Sequence, residues 1–240
     1  MGQLDGKVAL ITGGGTGIGK GIGRAFSREG AHLVIASRRK EHLTTAAAEF
    51  RDLGAEVEAV PTDVTVEAQV EALFEAVNSR FGRLDILVNN SGIAEGGPLE
   101  ELSLDAWRKV IDVNLTGVFL CTRAAMAVMK RQGGGRIINI GSISAQMPRM
   151  NSAPYTTSKH GLVGLTKSTA LEGRAFGISA GCLHPGNTLT EMGRTLPDQE
   201  PLMSVDDLAG IALAMAALPA NATALEAIVL PYQQDYLGRG

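Results

Sequence analysis

Cysteine is scarce in this chain: Cys121 and Cys182 are the only two in 240 residues. Neither belongs to a Cys-x-x-Cys pair, and His32, His42, His160 and His184 form no cluster with them or with one another. That spacing argues against a disulfide scaffold and against a zinc or other metal site; two buried, reduced thiols of a cytoplasmic protein are expected instead. Charge of one sign is also missing. Lys and Arg total 22 against 25 Asp and Glu, a net charge of −3, and the basic residues are scattered. Nucleic acid or an anionic membrane surface is therefore not the expected partner. Long apolar runs are absent too. The longest, Ile211 to Leu218, falls short of the ~18 residues that a membrane span needs. The first residues carry no apolar signal core, and Gly6 stands where a myristoylation motif requires Ser or Thr. No linker, repeat or low-complexity tract divides the chain, so a single domain over 1–240 is expected. The single tryptophan, Trp107, is assigned to the core or a subunit contact.

What is present is an alternation of short apolar runs with longer segments of helical period. At 45% hydrophobic residues a sizeable core is available, and the alternation predicts an α/β fold: a parallel sheet of about seven strands with helices on both faces. Strands are predicted at Val8–Thr12, Leu33–Ser37, Val57–Val60, Ile86–Asn89, Arg136–Ile140, Ser179–His184 and Ala227–Leu230. Val70, Leu73, Phe74, Val77 and Phe81 fall on one stripe of a helix facing the sheet. Leu104 to Lys130 reads as one long helix.

The first strand runs into Gly13-Gly14-Gly15-Thr16-Gly17-Ile18-Gly19, followed by a helix beginning near Ile18. Glycines let the backbone turn sharply and approach a pyrophosphate, while the helix N-terminus offers free N–H groups and partial positive charge. Lys20 is not part of a Gly-Lys-Ser/Thr string, so an ATP-type loop is disfavoured. An NAD site places a carboxylate at the end of the second strand. Here that position reads Ser37-Arg38-Arg39, where a hydroxyl and guanidinium groups can hold a 2′-phosphate by charge-assisted hydrogen bonds. NADP(H) is the expected cofactor, with Arg38 the first choice for the phosphate and Arg39 the second.

Tyr155 and Lys159 share a helix face at i and i+4, with Ser142 upstream. A cation beside a phenol favours the phenolate, which makes an acid/base device. The pair alone would equally suit a half-buried tyrosine over a solvated lysine, so its companions carry the argument.

Taken together, Thr12 to Gly19, Asp63-Val64, Asn89-Asn90-Ser91-Gly92, Asn114, Ser142, Tyr155, Lys159 and Pro185-Gly186-Asn187-Thr188 resemble the short-chain dehydrogenase/reductase family over nearly the whole chain. The resemblance implies a Rossmann-type doubly wound domain. It further implies that Asp63 and Val64 lie against adenine, that Asn90, Ser91 and Gly92 pass near the cofactor ribose, and that Pro185, Gly186 and Thr188 border the nicotinamide. Lys159 would also bond the nicotinamide ribose. The implied chemistry interconverts a carbonyl and an alcohol: Ser142 holds the carbonyl oxygen, Tyr155 exchanges the proton, Lys159 stabilises the phenolate, and Asn114 helps hold a water that leads to solvent.

Ser91 replaces the family's usual Ala. The glycine loop with Ile35-Ala36-Ser37-Arg38 is also similar to dienoyl-CoA reductases, which lack the tyrosine. The ending Pro231 to Gly238 is similar to NADP-dependent 3-hydroxy acid and serine dehydrogenases, and that likeness makes Arg149 and Arg194 candidates for a substrate carboxylate. Met147, Met150, Met192, Leu196 and Met203 equally permit an apolar substrate. Substrate loops are expected near 93–100, 143–152 and 187–204. A small carbonyl or alcohol is the expected partner, with a 3-oxoacyl thioester the competing substrate and a catalytically silent NADP-binding sensor the alternative of another class. Homodimers or homotetramers through Leu104–Lys130 and Ser152–Phe176 are the implied assembly, and the cytoplasm the implied location.

Overall fold

The computed structural model describes residues 2–190 and 201–235. Seven strands, β1 (Val8–Thr12), β2 (His32–Ser37), β3 (Val57–Pro61), β4 (Ile86–Asn89), β5 (Gly135–Ile140), β6 (Ile178–Pro185) and β7 (Glu226–Val229), form one sheet in the order β3-β2-β1-β4-β5-β6-β7. Every pairing is parallel. The predicted strands match these to within a residue or so at each end, because a strand covered on both faces reads as an uninterrupted β-branched and leucine run.

Alternate residues of a strand serve opposite faces. Ala9 and Ile11 of β1 and Leu33 and Ile35 of β2 join a core beneath α1 (Gly17–Arg28), α2 (Lys40–Asp52) and α7 (Val205–Ala217), with Ile22, Phe26, Phe50 and Leu208. Leu10 and Val34 face the other way, toward α3 (Glu67–Phe81) and its stripe Val70, Leu73, Phe74 and Val77. The doubly wound architecture is thus a consequence of hydrophobic side chains on both faces of every central strand.

The predicted long helix is interrupted. α4 (Leu104–Ile111) passes through a wide turn, Asp112–Thr116, with i to i+5 bonding, into α5 (Gly117–Gln132). The hydrophobic period does not reveal that widening, because its cause is polar: the buried Asn114 amide is held by groups outside the helix, and the backbone opens to let it reach them. The 29-residue stretch Leu104–Gln132 is long and apolar enough to cross a membrane by length and hydropathy alone, unlike the shorter Ile211–Leu218 run. Its Leu120, Cys121, Ala125 and Met129 are buried in the sheet core. α6 (Ala153–Gly173) begins with Pro154 in its first turn and packs on β6. The order reverses between β1 and β4, so the carboxyl ends of these strands open the crevice where ligands bind in such sheets.

Candidate active site

Thr12, the last residue of β1, ties the two strands at that crevice together. Its Oγ1 accepts hydrogen bonds from the backbone N–H groups of Asn90 at 3.0 Å and Ser91 at 3.1 Å. Asn90 Nδ2 donates in return to the carbonyls of Thr12 at 3.0 Å and Gly13 at 3.2 Å. Gly13 and Gly17 adopt φ of 65° and 51°, left-handed conformations that disfavour a side chain. A Cβ at Gly19 would lie 2.4 Å from both Asn90 Nδ2 and the Gly13 carbonyl oxygen, so the turn closes only with glycine there. Gly15 packs against His42 of α2. Thr16 caps α1 with extended backbone and no side-chain hydrogen bond, which leaves the first-turn N–H groups available to an anion.

Two cavities flank this turn. One, of about 230 Å³, is bounded by Gly13, Thr16 and the Ser37-Arg38-Arg39 corner, together with Asp63, Val64, Ser91 and Gly92. Arg38 and Arg39 are exposed at its rim, and no carboxylate occupies the Ser37 position. Asp63 is turned to its own loop, accepting from the Thr65 N–H at 3.0 Å and the Thr65 hydroxyl at 2.7 Å.

The second cavity, of about 330 Å³, brings together Ile18, Ser142, Tyr155, Pro185, Gly186 and Thr188, with Arg149 and Asn187. Ser142 leaves β5 in extended conformation, and its Oγ accepts from the Ser144 N–H at 3.1 Å. Behind it lies His184, wholly buried, whose Nδ1 is 3.0 Å from the Ser142 carbonyl. Burial pushes the His184 imidazole below its usual value, against the opposing pull of that carbonyl and of Glu226. The Glu226 carboxylate lies 3.5 Å from the other ring nitrogen, Nε2.

Lys159 is 5% exposed, donates Nζ to the Ile140 carbonyl at 2.8 Å, and lies 5.5 Å from the Tyr155 ring centroid. Among the described residues it has no carboxylate partner. A buried cation without a carboxylate partner costs stability. Asn114 accepts from the Ile93 N–H at 2.9 Å, and its Nδ2 donates to the Ile93 carbonyl at 2.9 Å and to Ser158 Oγ at 3.1 Å. Ser158 Oγ donates to the Tyr155 carbonyl at 2.6 Å. The wide turn is thereby fastened both to the loop after β4 and to the turn that carries Tyr155. A Cβ at Gly92 would lie 3.4 Å from Asn114 Oδ1 and 3.9 Å from Lys159 Nζ, so Gly92, Asn114 and Lys159 converge.

The uncapped helix start, the cradle that a Cβ would fill and the basic corner fit a dinucleotide. The model of the short chain dehydrogenase family matches residues 7–201. The chain belongs to the short-chain dehydrogenase family. It is an oxidoreductase of that family, whose members use nicotinamide cofactors. It is 37% identical to an uncharacterized oxidoreductase, YxjF, of Bacillus subtilis, over 93% of this chain and 96% of that one. An actinorhodin polyketide ketoreductase solved with NADPH is 33% identical, with a TM-score of 0.89 over 96% of this chain and 98% of its own. A 3-ketoacyl-(acyl-carrier-protein) reductase of Brucella melitensis, solved with NADH, is 35% identical, with a TM-score of 0.89 over 97% and 100%.

In this short-chain dehydrogenase several site residues escaped the sequence reading. His184 belongs to no cluster that spacing reveals, yet its Nδ1 lies against the Ser142 carbonyl. Asn187 has no role that the Pro185-Gly186-Asn187-Thr188 pattern announces; its backbone N–H donates to Gln234 Oε1 at 2.8 Å and its Oδ1 accepts from Arg149 Nη2 at 2.6 Å. Gln234 reaches the site from beyond β7, a pairing that no local spacing announces. Arg194, Met192 and Leu196 lie outside the described residues, as does the end of the tail from 236 onward.

Proposed function

We propose that this short-chain dehydrogenase interconverts a small carbonyl compound and its secondary alcohol with NADP(H), Tyr155 serving as general acid and base. The observation that carries the reading is the single cavity that Ser142 and Tyr155 share with Pro185, Gly186 and Thr188, beside the buried Lys159 cation.

Bound NADP(H) would supply or take up the hydride at the substrate carbon. The first-turn N–H groups of α1 would hold the pyrophosphate, Ser37, Arg38 and Arg39 the 2′-phosphate, and Pro185 to Thr188 would border the nicotinamide. Asp63 and Val64 would border the adenine, and Asn90 to Gly92 the ribose. Ser142 Oγ donates to the carbonyl oxygen, and Tyr155 passes its phenolic proton to that oxygen as negative charge develops there. Lys159 stabilises the phenolate that remains. Asn114, through Ser158, fixes the helical turn that aims Tyr155. In the oxidative direction the same groups remove the alcohol proton.

A 3-oxoacyl thioester is the second substrate reading, favoured by the likeness to a polyketide ketoreductase and a 3-ketoacyl-(acyl-carrier-protein) reductase. Exposed Phe119, Leu171 and Phe176 on α5, α6 and the turn after it support a homodimer or homotetramer through these helices. One domain over 1–240 and a cytoplasmic location complete the reading. A panel of ketones, 3-oxo acids and 3-oxoacyl thioesters with NADPH tests it. Turnover is expected with at least one class, and Tyr155→Phe should lower kcat by ~10²–10⁴-fold while leaving NADPH affinity near the parent value. NADPH binding without turnover of any carbonyl would point to the silent sensor instead.

A further inference from the structure

We propose that Arg149 is the anion-binding residue of the substrate cavity, and that the substrate is a small oxo or hydroxy acid whose carboxylate pairs with it. The inference rests on the reading of the cavity as a carbonyl-reducing site and adds its substrate class.

Arg149 lines the same cavity as Ser142 and Tyr155. Its backbone is fixed: the Arg149 N–H donates to Ser152 Oγ at 3.2 Å, and that hydroxyl donates to the Arg149 carbonyl at 2.6 Å. The intervening Asn151 adopts φ of 58°, which sharpens the turn. The side chain is fixed as well. Nη2 donates to Asn187 Oδ1 at 2.6 Å, and Asn187, itself buried, is anchored by Gln234. The guanidinium is therefore held at a defined place by a neutral amide, which orients it without cancelling its charge.

No carboxylate pairs with Arg149 among the described residues. Among the described residues the one acidic side chain on the cavity wall, Glu95, is paired with Lys109 at 2.6 Å. The same cavity wall includes Asn151 and Ser152, at the N-terminus of α6. Ser152 makes no side-chain cap, so the first-turn N–H groups add partial positive charge on the same side. A preorganised, uncompensated guanidinium in a small cavity is a carboxylate site by geometry and charge. About 330 Å³, shared between nicotinamide and substrate, suits a compact acid.

The test uses the full-length protein with NADPH and three probes: acetoacetate, its methyl ester, and the neutral acetoacetyl thioester of N-acetylcysteamine. The parent is expected to favour the free acid over both neutral compounds in kcat/KM. Arg149→Gln should reduce the acid-to-ester ratio by ~10–100-fold, and Arg149→Lys by less. Calorimetric binding to the NADP-loaded Tyr155→Phe protein asks the same question without turnover. Acetoacetate that binds more tightly than the ester, and loses that advantage in Arg149→Gln, supports the site. Equal binding of acid and ester, or an equal loss of both on substitution, overturns it. A parent preference for the neutral thioester over the acid overturns it too. Because binding is read separately from catalysis, a protein that turns over no carbonyl would defeat the proposed reaction while leaving the charge preference still measurable.

Discussion

Lys159 Nζ and the Ile140 carbonyl oxygen are 2.8 Å apart, so the cation on α6 is pinned to the last residue of β5, just before the turn that presents Ser142. One strand end therefore sets the positions of both the lysine and the serine. Tyr155, one turn before Lys159 on the same helix, is placed relative to them by the packing of α6 against β6.

That arrangement separates function from stability at Lys159. Lys159→Met removes a buried charge that lacks a carboxylate partner, which favours the folded state, and leaves the Ile140 carbonyl without its donor, which opposes it at a cost of ~1–3 kcal/mol. The two effects nearly cancel, so Tm should stay within a few degrees while kcat drops by ~10²-fold or more. Thermal melts and steady-state rates on the same preparations check this. A melting point lowered well beyond that with turnover intact would assign the residue to the scaffold.

The corner at the end of β2 should decide the cofactor. Ser37→Asp combined with Arg38→Gln replaces a phosphate-compatible hydroxyl and guanidinium with a carboxylate. The NADP-to-NAD ratio of kcat/KM is expected to fall by ~10–100-fold or more. Rates with both dinucleotides at low ionic strength measure it, and a ratio that does not move would remove Ser37 and Arg38 from the 2′-phosphate site.

Asp85 gives a pH-dependent contribution far from the site. Burial opposes its charged form, but the Arg83 hydrogen bond, the Val8 N–H at 3.0 Å and the charges of Arg83 and Lys7 outweigh it and hold the carboxyl below its usual value. A depressed folded value stabilises the protein above the unfolded value of ~3.9, and that stabilisation is lost as pH falls through the folded value. Asp85→Asn should cost about 1–2 kcal/mol near neutrality, with the difference shrinking on acidification below ~4. Urea titrations of both proteins across that range provide the check; a constant difference would contradict the linkage.

Much of the fold was legible in advance because parallel strands buried on both faces leave long β-branched runs, and because the stripe Val70, Leu73, Phe74 and Val77 has a helical period that the core then uses. The glycine turn was legible for a related reason: a left-handed φ at Gly13 and a 2.4 Å approach at Gly19 admit almost nothing else. The interruption of the long helix at Asp112–Thr116 was not legible. Its cause is the bonding of Asn114 to Ile93 and Ser158, groups distant in sequence, and a pattern of apolar residues carries no record of such partners. Leu104–Gln132 shows the opposite failure, since the same apolar composition admits a membrane span by hydropathy and a core helix by packing.

The sequence by itself determined the succession of strands and helices along the chain, the glycine turn after β1, and the residue types at Ser142, Tyr155 and Lys159. Those depend on local backbone preference and periodicity, which neighbours along the chain decide. Only the tertiary structure decided that Ser142 and Tyr155 share one cavity, that Lys159 is buried with no carboxylate partner among the described residues, and that Arg149 is held by Asn187, itself anchored by Gln234. These depend on side chains that meet across strands and helices, at distances along the chain that local spacing cannot encode.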